Sequence, residues 1–448
     1  MKLKGLLSAA VLLAALGGAV WWSNKDEAAS VGKPGKDAAP RILEVPEDQF
    51  TQLDFQRKGA PPTIVKKNKE GKWEIAAPAP MTADSSSVGA VVSALAVFNS
   101  DKLVEEKATD LKGYGLDAPT VQINITKKDG KVIKVLLGDD TAIGAATYVK
   151  VEGDPRVFSM LGKNTIDKSW KDLRDKRLLT FDGDKLTRVE LFTGKESVEF
   201  ARNASNNWTI LKPMPLRGDN FAVEDLVRKL KDAKMDEVPE PDAAVEVAKR
   251  FAAAAFVGKA RTTDAGSPQE LEVRKDKDGI YLAKSNVVGG VYKVSNELGE
   301  GLARKLDDFR NKKLFDFSFS EPTRIEVKSA ERAWLYEKSK TEWKRDGKIV
   351  RADMVQALTD KLRELSSVAF LDKAARPQFA ELTVTSQDGK VVEKVIVSKS
   401  GESFTAVRNG EAAVYGLDPK AITELMEAAK TVQEGTGETA KPKDSTKK

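Results

Sequence analysis

A tryptophan recurs at a fixed interval along this chain: Trp73, Trp208 and Trp343 are equally spaced, since 208 − 73 and 343 − 208 are both 135. One recurring residue could be chance, so its neighbours have to keep the same spacing. They do. Asp84 and Asp219 follow Trp73 and Trp208 at an identical offset, and Asp353 follows Trp343 one place sooner. Each Asp precedes an apolar pattern and reads as a helix N-cap, its carboxylate accepting from the free N–H groups of the first turn. Val88, Val91, Val92, Leu95 and Phe98 follow the first, and Val223, Leu226, Val227 and Leu230 follow the second at the same offsets. The third run is Met354, Leu358, Leu362 and Leu365. Steps of three and four put each set on one helix face.

The rest of the repeat is built from strands. Pro119 and Pro268 precede Asp129-Gly130 and Asp278-Gly279 at the same offset, and Pro377 precedes Asp388-Gly389 with one place more. Asp-Gly between apolar runs predicts a hairpin turn, because Gly accepts positive φ. The flanks alternate, as in Val121, Ile123, Ile125 and then Val132, Val135, Leu137. An apolar–aromatic pair then enters a second helix: Val157-Phe158, Val291-Tyr292 and Val414-Tyr415. The stretch from the turn to this pair is only half as long in the middle copy as in the other two, so the middle copy reads as short of one hairpin. In its place stands Pro239 to Ala260, with an Ala-rich helical stretch around Phe251 to Phe256. Two copies close alike: Leu173-Arg174-Asp175-Lys176-Arg177-Leu178-Leu179-Thr180-Phe181 echoes Phe309-Arg310-Asn311-Lys312-Lys313-Leu314-Phe315-Asp316-Phe317. Strands outnumber helices and most connections are hairpins. The predicted fold class is α+β: three tandem related modules, each an antiparallel sheet of hairpins with two helices.

The chain has no His and no Cys. Disulfides, imidazole or thiolate metal sites, Ser-His-Asp and Cys-His triads, haem-His ligation and iron–sulfur clusters are thereby excluded. Lys plus Arg number 74 against 68 Asp plus Glu, a surplus of +6 over 448 residues. That is too thin for a dedicated nucleic-acid binder. No phosphate loop is present, and no pair among the acids stands out as a glycosidase pair. The sequence yields no catalytic, cofactor-binding or metal-binding residue.

Lys2 and Lys4 precede an apolar run from Leu6 to Trp22. As a helix this would span about 25 Å, near the lower limit for a bilayer. Positive charge ahead of the run holds the N-terminus in the cytoplasm and sends the rest across. Trp21-Trp22 fits an interfacial aromatic belt, which favours an uncleaved anchor. The alternative is a signal peptide cut near Gly17 and Ala19, releasing the protein to the periplasm. The expected organisation is a membrane segment at 1–23, a flexible linker at 24–40, modules at 41–186, 187–322 and 323–433, and a disordered tail at 434–448.

Two features invite a binding role. The tryptophans could stack sugars, but recurrence in every module suits a core anchor better. Basic runs read as helices at Lys163–Arg177 and Leu302–Lys313, each with a surplus of three cations. Their candidate partner surface is Lys171, Arg174, Lys176, Arg177, Arg310, Lys312 and Lys313; the bland reading is a solvated helix face. Tyr114-Gly115-Leu116-Asp117 and Tyr415-Gly416-Leu417-Asp418 repeat a motif at different places in their modules.

Trp73 with its Pro78/Pro80 loop and Ala83-Asp84 helix start, Tyr114 to Pro119, the strand ending Val135-Leu136-Leu137-Gly138, and the close Leu173 to Leu179 together resemble a bacterial envelope family, domain of unknown function 4340. The resemblance covers most of residues 45–430 and is strongest in the first module. The third module lacks the basic close and the Pro loop. The resemblance implies a membrane-anchored extracytoplasmic protein associated with ABC-type export systems, and it carries over no catalytic residue. The resulting expectation is a non-enzymatic, single-pass inner-membrane protein anchored by residues 6–22, with the bulk of the chain periplasmic. It would act as an interaction or accessory module for an envelope protein, an ABC-type transporter component, with no cofactor and no nucleic acid. A glycan- or lipid-binding envelope protein is the alternative, and a carboxylate-dependent hydrolase a distant third.

Overall fold

In the computed structural model residues 40–435 are described, apart from 143, 195, 318 and 319. They form two units that part between Lys176 and Arg177. The anchor segment 1–23 and nearly all of the linker fall outside the described residues, as does the tail beyond Gly435. No helix among the described residues is long and apolar enough to cross a membrane.

The first unit holds one nine-stranded sheet. Its strands run, edge to edge, Met81–Thr82, Trp73–Ala77, Thr63–Lys67, Phe50–Arg57, Val121–Lys127, Val132–Asp140, Ala146–Val151, Val157–Leu161 and Lys102–Glu105. All neighbours are antiparallel. Alternation decides the faces: Val121, Ile123 and Ile125 are buried, while Gln122 and Asn124 between them point to the other side. Helix α1 (Ser85–Ala96) lays Val88, Val91, Val92 and Leu95 on the apolar face. Phe98, expected on that helix, belongs instead to a short strand, Val97–Asn99, which pairs with Arg41–Glu44. A four-residue α2 (Trp170–Leu173) follows the last long strands.

The second unit repeats this plan twice. Its eight-stranded sheet runs Leu216–Arg217, Trp208–Lys212, Glu196–Arg202, Arg188–Thr193, Ala255–Thr263, Gln269–Lys275, Tyr281–Ser285 and Val291–Lys293. Helices α3 (Asn220–Lys231), α4 (Pro241–Ala253) and α5 (Asn296–Leu302) accompany it. The nine-stranded sheet runs Lys348–Ile349, Glu342–Arg345, Ala333–Ser339, Pro322–Ser329, Gln378–Ser386, Val391–Ser400, Ser403–Arg408, Val414–Leu417 and Ser367–Leu371, with α6 (Ala352–Glu364) and α7 (Pro419–Thr431). The repeated antiparallel α+β module is therefore what the chain forms.

The landmarks behave unequally. Asp84 and Asp219 cap their helices, accepting from Ser87 N–H at 2.7 Å and Ala222 N–H at 3.1 Å. Asp353 does not: α6 begins a residue earlier, Arg351 holds the cap position without a side-chain bond, and Asp353 pairs with the Arg351 guanidinium. The buried face of α6 is accordingly Val355, Leu358 and Leu362, with Met354 only partly covered. Asp418 caps α7 through Lys420 N–H at 2.9 Å, with Pro419 in the first turn.

The middle module is not short of a hairpin. Asp129-Gly130 and Asp388-Gly389 join the fifth strand of their sheets to the sixth, whereas Asp278-Gly279 joins the sixth to the seventh. All three glycines have positive φ, so the turn chemistry is the same at a different place in the fold. The true fifth strand, Ala255–Thr263, begins inside the stretch expected to be helical; the helix ends at Ala253. It escapes notice because its core-facing positions are small. Gly258 lies under α5, where an added Cβ would sit 2.4 Å from the Leu302 carbonyl oxygen, and Ala260 and Thr262 beside it are buried. What the middle module lacks is the ninth, outermost strand; α4 takes that side, its Phe251 packing on Leu282 and Val291.

Candidate functional site

The basic closing motifs lead to the most elaborate geometry in the molecule. They are not helical. Arg174 has extended backbone (φ −75°, ψ 138°) directly after α2, and the strand it forms closes its own module. Asp84 N–H donates to the Leu173 carbonyl at 2.8 Å, and Asp175 N–H to Thr82 at 3.0 Å. In the middle module Asp219 N–H donates to Phe309 at 2.8 Å and Asn311 N–H to Arg217 at 3.0 Å. Backbone groups that would have bonded within a helix bond instead to the strand before the first long helix.

The second half of each closing segment pairs onward. Arg177 bridges Lys234, and Lys313 bridges Ser366. Arg41 pairs with Asn99 in the first unit. Asn99, Lys234 and Ser366 stand at one structural position, equally far along the chain from Ser85, Asn220 and Ala352, the first residues of α1, α3 and α6. Arg41-Ile42-Leu43-Glu44-Val45 is thus the counterpart of Arg177 to Phe181 and Lys313 to Phe317, a third copy that the sequence alone does not reveal. Each begins with a cation, and each buries its second and fifth residues: Ile42 and Val45, Leu178 and Phe181, Leu314 and Phe317.

Between the two modules of the second unit this segment is the core of a joint. Phe309 is fully buried, edge-on to Phe200, with the Arg304 guanidinium 4.3 Å from its ring centre. Arg310 turns inward: its guanidinium lies 3.5 Å over the Phe370 ring and 3.1 Å from Asp307, leaving the side chain 13% exposed. Arg217, from the edge strand of the middle module, reaches Asp316 at 2.5 Å, Glu411 at 2.7 Å and the Tyr415 hydroxyl at 3.1 Å, and donates to the Lys313 carbonyl. Arg408 carries the network on, to Glu411 at 2.9 Å, Glu393 at 3.1 Å and the Leu314 carbonyl at 2.6 Å. Asp316 and its acidic neighbours hold the Arg217 guanidinium more firmly protonated than usual, against its burial. Burial pushes the Tyr415 phenol up, and its hydroxyl donates to Glu411 at 2.6 Å.

The seven candidate cations differ in setting, three of them in the first unit and four in the second. Lys171 sits on α2 with its ammonium 5.6 Å over the Trp170 ring, and Arg174 and Lys176 are half-buried on the extended segment of the first unit. Arg177 is exposed at the start of the second unit. Arg310 is packed into the joint, leaving Lys312 and Lys313 as an exposed adjacent pair. Arg217, which joins Asp316, Glu411 and Tyr415, carries no signal in the sequence; it stands where the first module has Thr82.

The tryptophans line the cores. Trp208 is 1% exposed and donates to Glu224 at 2.7 Å, Trp343 is buried, and Trp73 packs partly covered on the first core. A pocket of about 450 Å³ opens on the middle module, lined by Glu196, Val198, Pro213, Leu306, Asp307 and Asp308. Its three acids are exposed, and two of them are engaged: Asp307 with Arg310, and Asp308 with the Lys305 N–H at 2.8 Å. No cluster of metal-ligating side chains occurs among the described residues.

The family described as Domain of unknown function (DUF4340) matches the chain twice, over residues 73–246 and 208–383. The two matches begin on Trp73 and Trp208, in register with the structural repeat, and together cover well over half of the 448 residues. The chain belongs to the DUF4340 family. Each DUF4340 match starts on the Trp strand of one module, runs through the closing segment and ends inside the next module. The family's unit thus contains the closing segment and both halves of its pairing. No curated protein and no solved structure matches the chain.

Proposed function

We propose that this DUF4340 protein is a non-enzymatic, inner-membrane-anchored envelope protein. Its chained α+β modules serve as an interaction or accessory module for a membrane partner, an ABC-type transport component. The observation that carries the reading is the joint. Arg217, Arg310 and Tyr415 are used to lock one module to the next, so the chain's most organised polar chemistry serves a scaffold and not a cleft. The anchor at Leu6–Trp22 and the spacer after it would place that scaffold on the outer side of the membrane. The test is crosslinking in intact membranes followed by mass-spectrometric identification. A single defined membrane protein, an ABC-type component, is expected to be captured, and recovery of uncrosslinked monomer alone counts against the reading. Alkaline extraction of the same membranes checks the anchor: the full-length chain should stay with the lipid, and its release as a species lacking residues 1–19 would point to a cleaved signal peptide.

A further inference from the structure

The modules face one physical problem that each solves differently. An open antiparallel sheet ends in a strand whose outward N–H and C=O groups can pair with another chain. In the first unit the outermost strand is Lys102-Leu103-Val104-Glu105, charged at both ends, followed by Glu106 and Lys107, with the Glu105 carboxylate held by the Tyr114 hydroxyl at 2.6 Å. Neither apolar residue of that strand is fully exposed. In the middle module α4 packs beside the last strand, Val291–Lys293. In the third module the outermost strand is Ser367-Val368-Ala369-Phe370-Leu371, without a charge. It pairs on one side with Val414–Leu417. On the other side, among the described residues, only its first residue is taken, Ser367 N–H donating to the Lys312 carbonyl at 2.7 Å. Val368 is 68% exposed and Leu371 43%.

We infer that Val368–Leu371 is a strand-addition site for an acidic, extended peptide segment of a partner protein, with apolar residues alternating along it. The occupant follows from the charges at the two ends of the strand. Lys312 and Lys313 lie beside Ser366 and Ser367, and Lys373 follows Leu371 by two places. All three are exposed, and none has an ion-pair partner among the described residues. Glu364 and Asp372 are the acids nearest in sequence, one on each flank. A second copy of the same edge would set Lys312, Lys313 and Lys373 against like charges, which disfavours self-pairing. An acidic strand meets them as counter-charges, while its backbone fills the open hydrogen bonds and its apolar side chains, all on one face, lie beside Val368. Four open residues offer about 13 Å of ladder, enough for a short linear segment. The site also gives a role to the two cations that the joint leaves outside.

This inference rests on the reading of the protein as an interaction module and names one surface for it. The test uses the full chain and three synthetic eight-residue peptides, of alternating Glu/Val, alternating Lys/Val and alternating Glu/Gly, with hydrogen–deuterium exchange as readout. The Glu/Val peptide is expected to slow exchange across residues 366–373, with the other two binding at least about fivefold more weakly, given the size of cross-strand charge and apolar pairs. Lys312→Glu with Lys313→Glu should weaken the Glu/Val peptide by a similar factor, as should Val368→Lys. All three positions are exposed, so an unchanged melting temperature verifies that these variants fold. Absence of protection at 366–373, equal protection by the Lys/Val peptide, protection at Lys102–Glu105 instead, or concentration-dependent protection without peptide (a second copy as occupant) would each overturn the proposal. If crosslinking captures a membrane partner while the Glu/Val peptide fails, the strand-addition site falls and the interaction reading stands.

Discussion

Two closing segments in the second unit make the same backbone bonds with different side chains. At Phe309–Leu314, Asp219 N–H reaches the Phe309 carbonyl and Asn311 N–H reaches Arg217. At Gln433–Gly435, Arg351 N–H reaches the Gln433 carbonyl at 3.0 Å and Gly435 N–H reaches Ile349 at 3.0 Å. The first is anchored by a fully buried Phe and followed by three cations. In the second Gln433 is exposed, Val432 is the buried residue, and no cation is present. Closing a module therefore requires main-chain pairing and one apolar anchor, and nothing more. The cations that looked like a closing signature belong to the next step. Arg310 stacks on Phe370, and the carbonyls of Lys313 and Leu314 receive Arg217 and Arg408. The family match at 208–383 spans this segment, where closure and joint meet.

The two closures should part most widely at Arg217. Arg217→Ala removes one of the two cations that Asp316 and Glu411 share, leaving them Arg408 alone, while touching no part of the Gln433–Gly435 closure. A fully buried pair broken in this way costs about 3–5 kcal/mol; these side chains keep some solvent, so about 2–3 kcal/mol is expected. Denaturant unfolding should then separate into two transitions as the modules uncouple. A loss under about 0.5 kcal/mol would reduce the network to surface pairing. A chain ending at Val432 is the reciprocal cut. It removes two main-chain bonds at about 1 kcal/mol each, so about 2 kcal/mol is expected, with faster amide exchange at the start of α6 and an intact joint.

Alkaline pH probes the joint through Tyr415, whose hydroxyl is bonded directly into its ion network. Burial raises the folded Tyr415 pKa, so the unfolded chain releases this proton first as pH climbs past the ordinary tyrosine range. The stabilisation is complete below that range and is lost as pH rises toward the folded value. Tyr336 is raised by burial too, so the informative quantity is a difference. Tyr415→Phe should flatten the decline of stability above about pH 10 by part of its slope, measured by denaturant unfolding at stepped pH. An unchanged slope would remove Tyr415 from the joint's titration. The smallest effect is expected at Lys312→Ala, within about ±0.5 kcal/mol, since the joint uses its backbone and leaves its side chain in solvent. A larger loss in thermal unfolding would place that side chain in the joint after all.

Much of a single module was legible, and for identifiable reasons. Val88, Val91, Val92 and Leu95 have a period that only a one-sided helix satisfies, and Asp84 and Asp219 are caps because a carboxylate at that offset has free N–H groups to accept from. Asp353 failed as a cap because its neighbour Arg351 offered a closer partner. The fifth strand of the middle module was illegible because Gly258, Ala260 and Thr262 are small to admit α5, and small residues carry little hydrophobic alternation. The Asp278-Gly279 turn misled because a turn motif reports local backbone and not its place in a sheet. Arg41 to Val45 went unseen because its pairing partner, Asn99, lies on the far side of the whole Trp73 hairpin and α1.

Residue type and short-range spacing were enough to set the repeat, the helix faces, the turn chemistry and the absence of thiol and imidazole chemistry. Three further outcomes had to wait for the assembled fold: the basic close is extended, Arg310 packs inward while Lys312 and Lys313 stay in solvent, and the third module, among the described residues, leaves an apolar outermost strand uncovered. Those outcomes turn on which distant strand claims a backbone N–H. Such pairing is settled by main-chain hydrogen bonds, which nearly every residue type can make, so it leaves no mark in side-chain pattern.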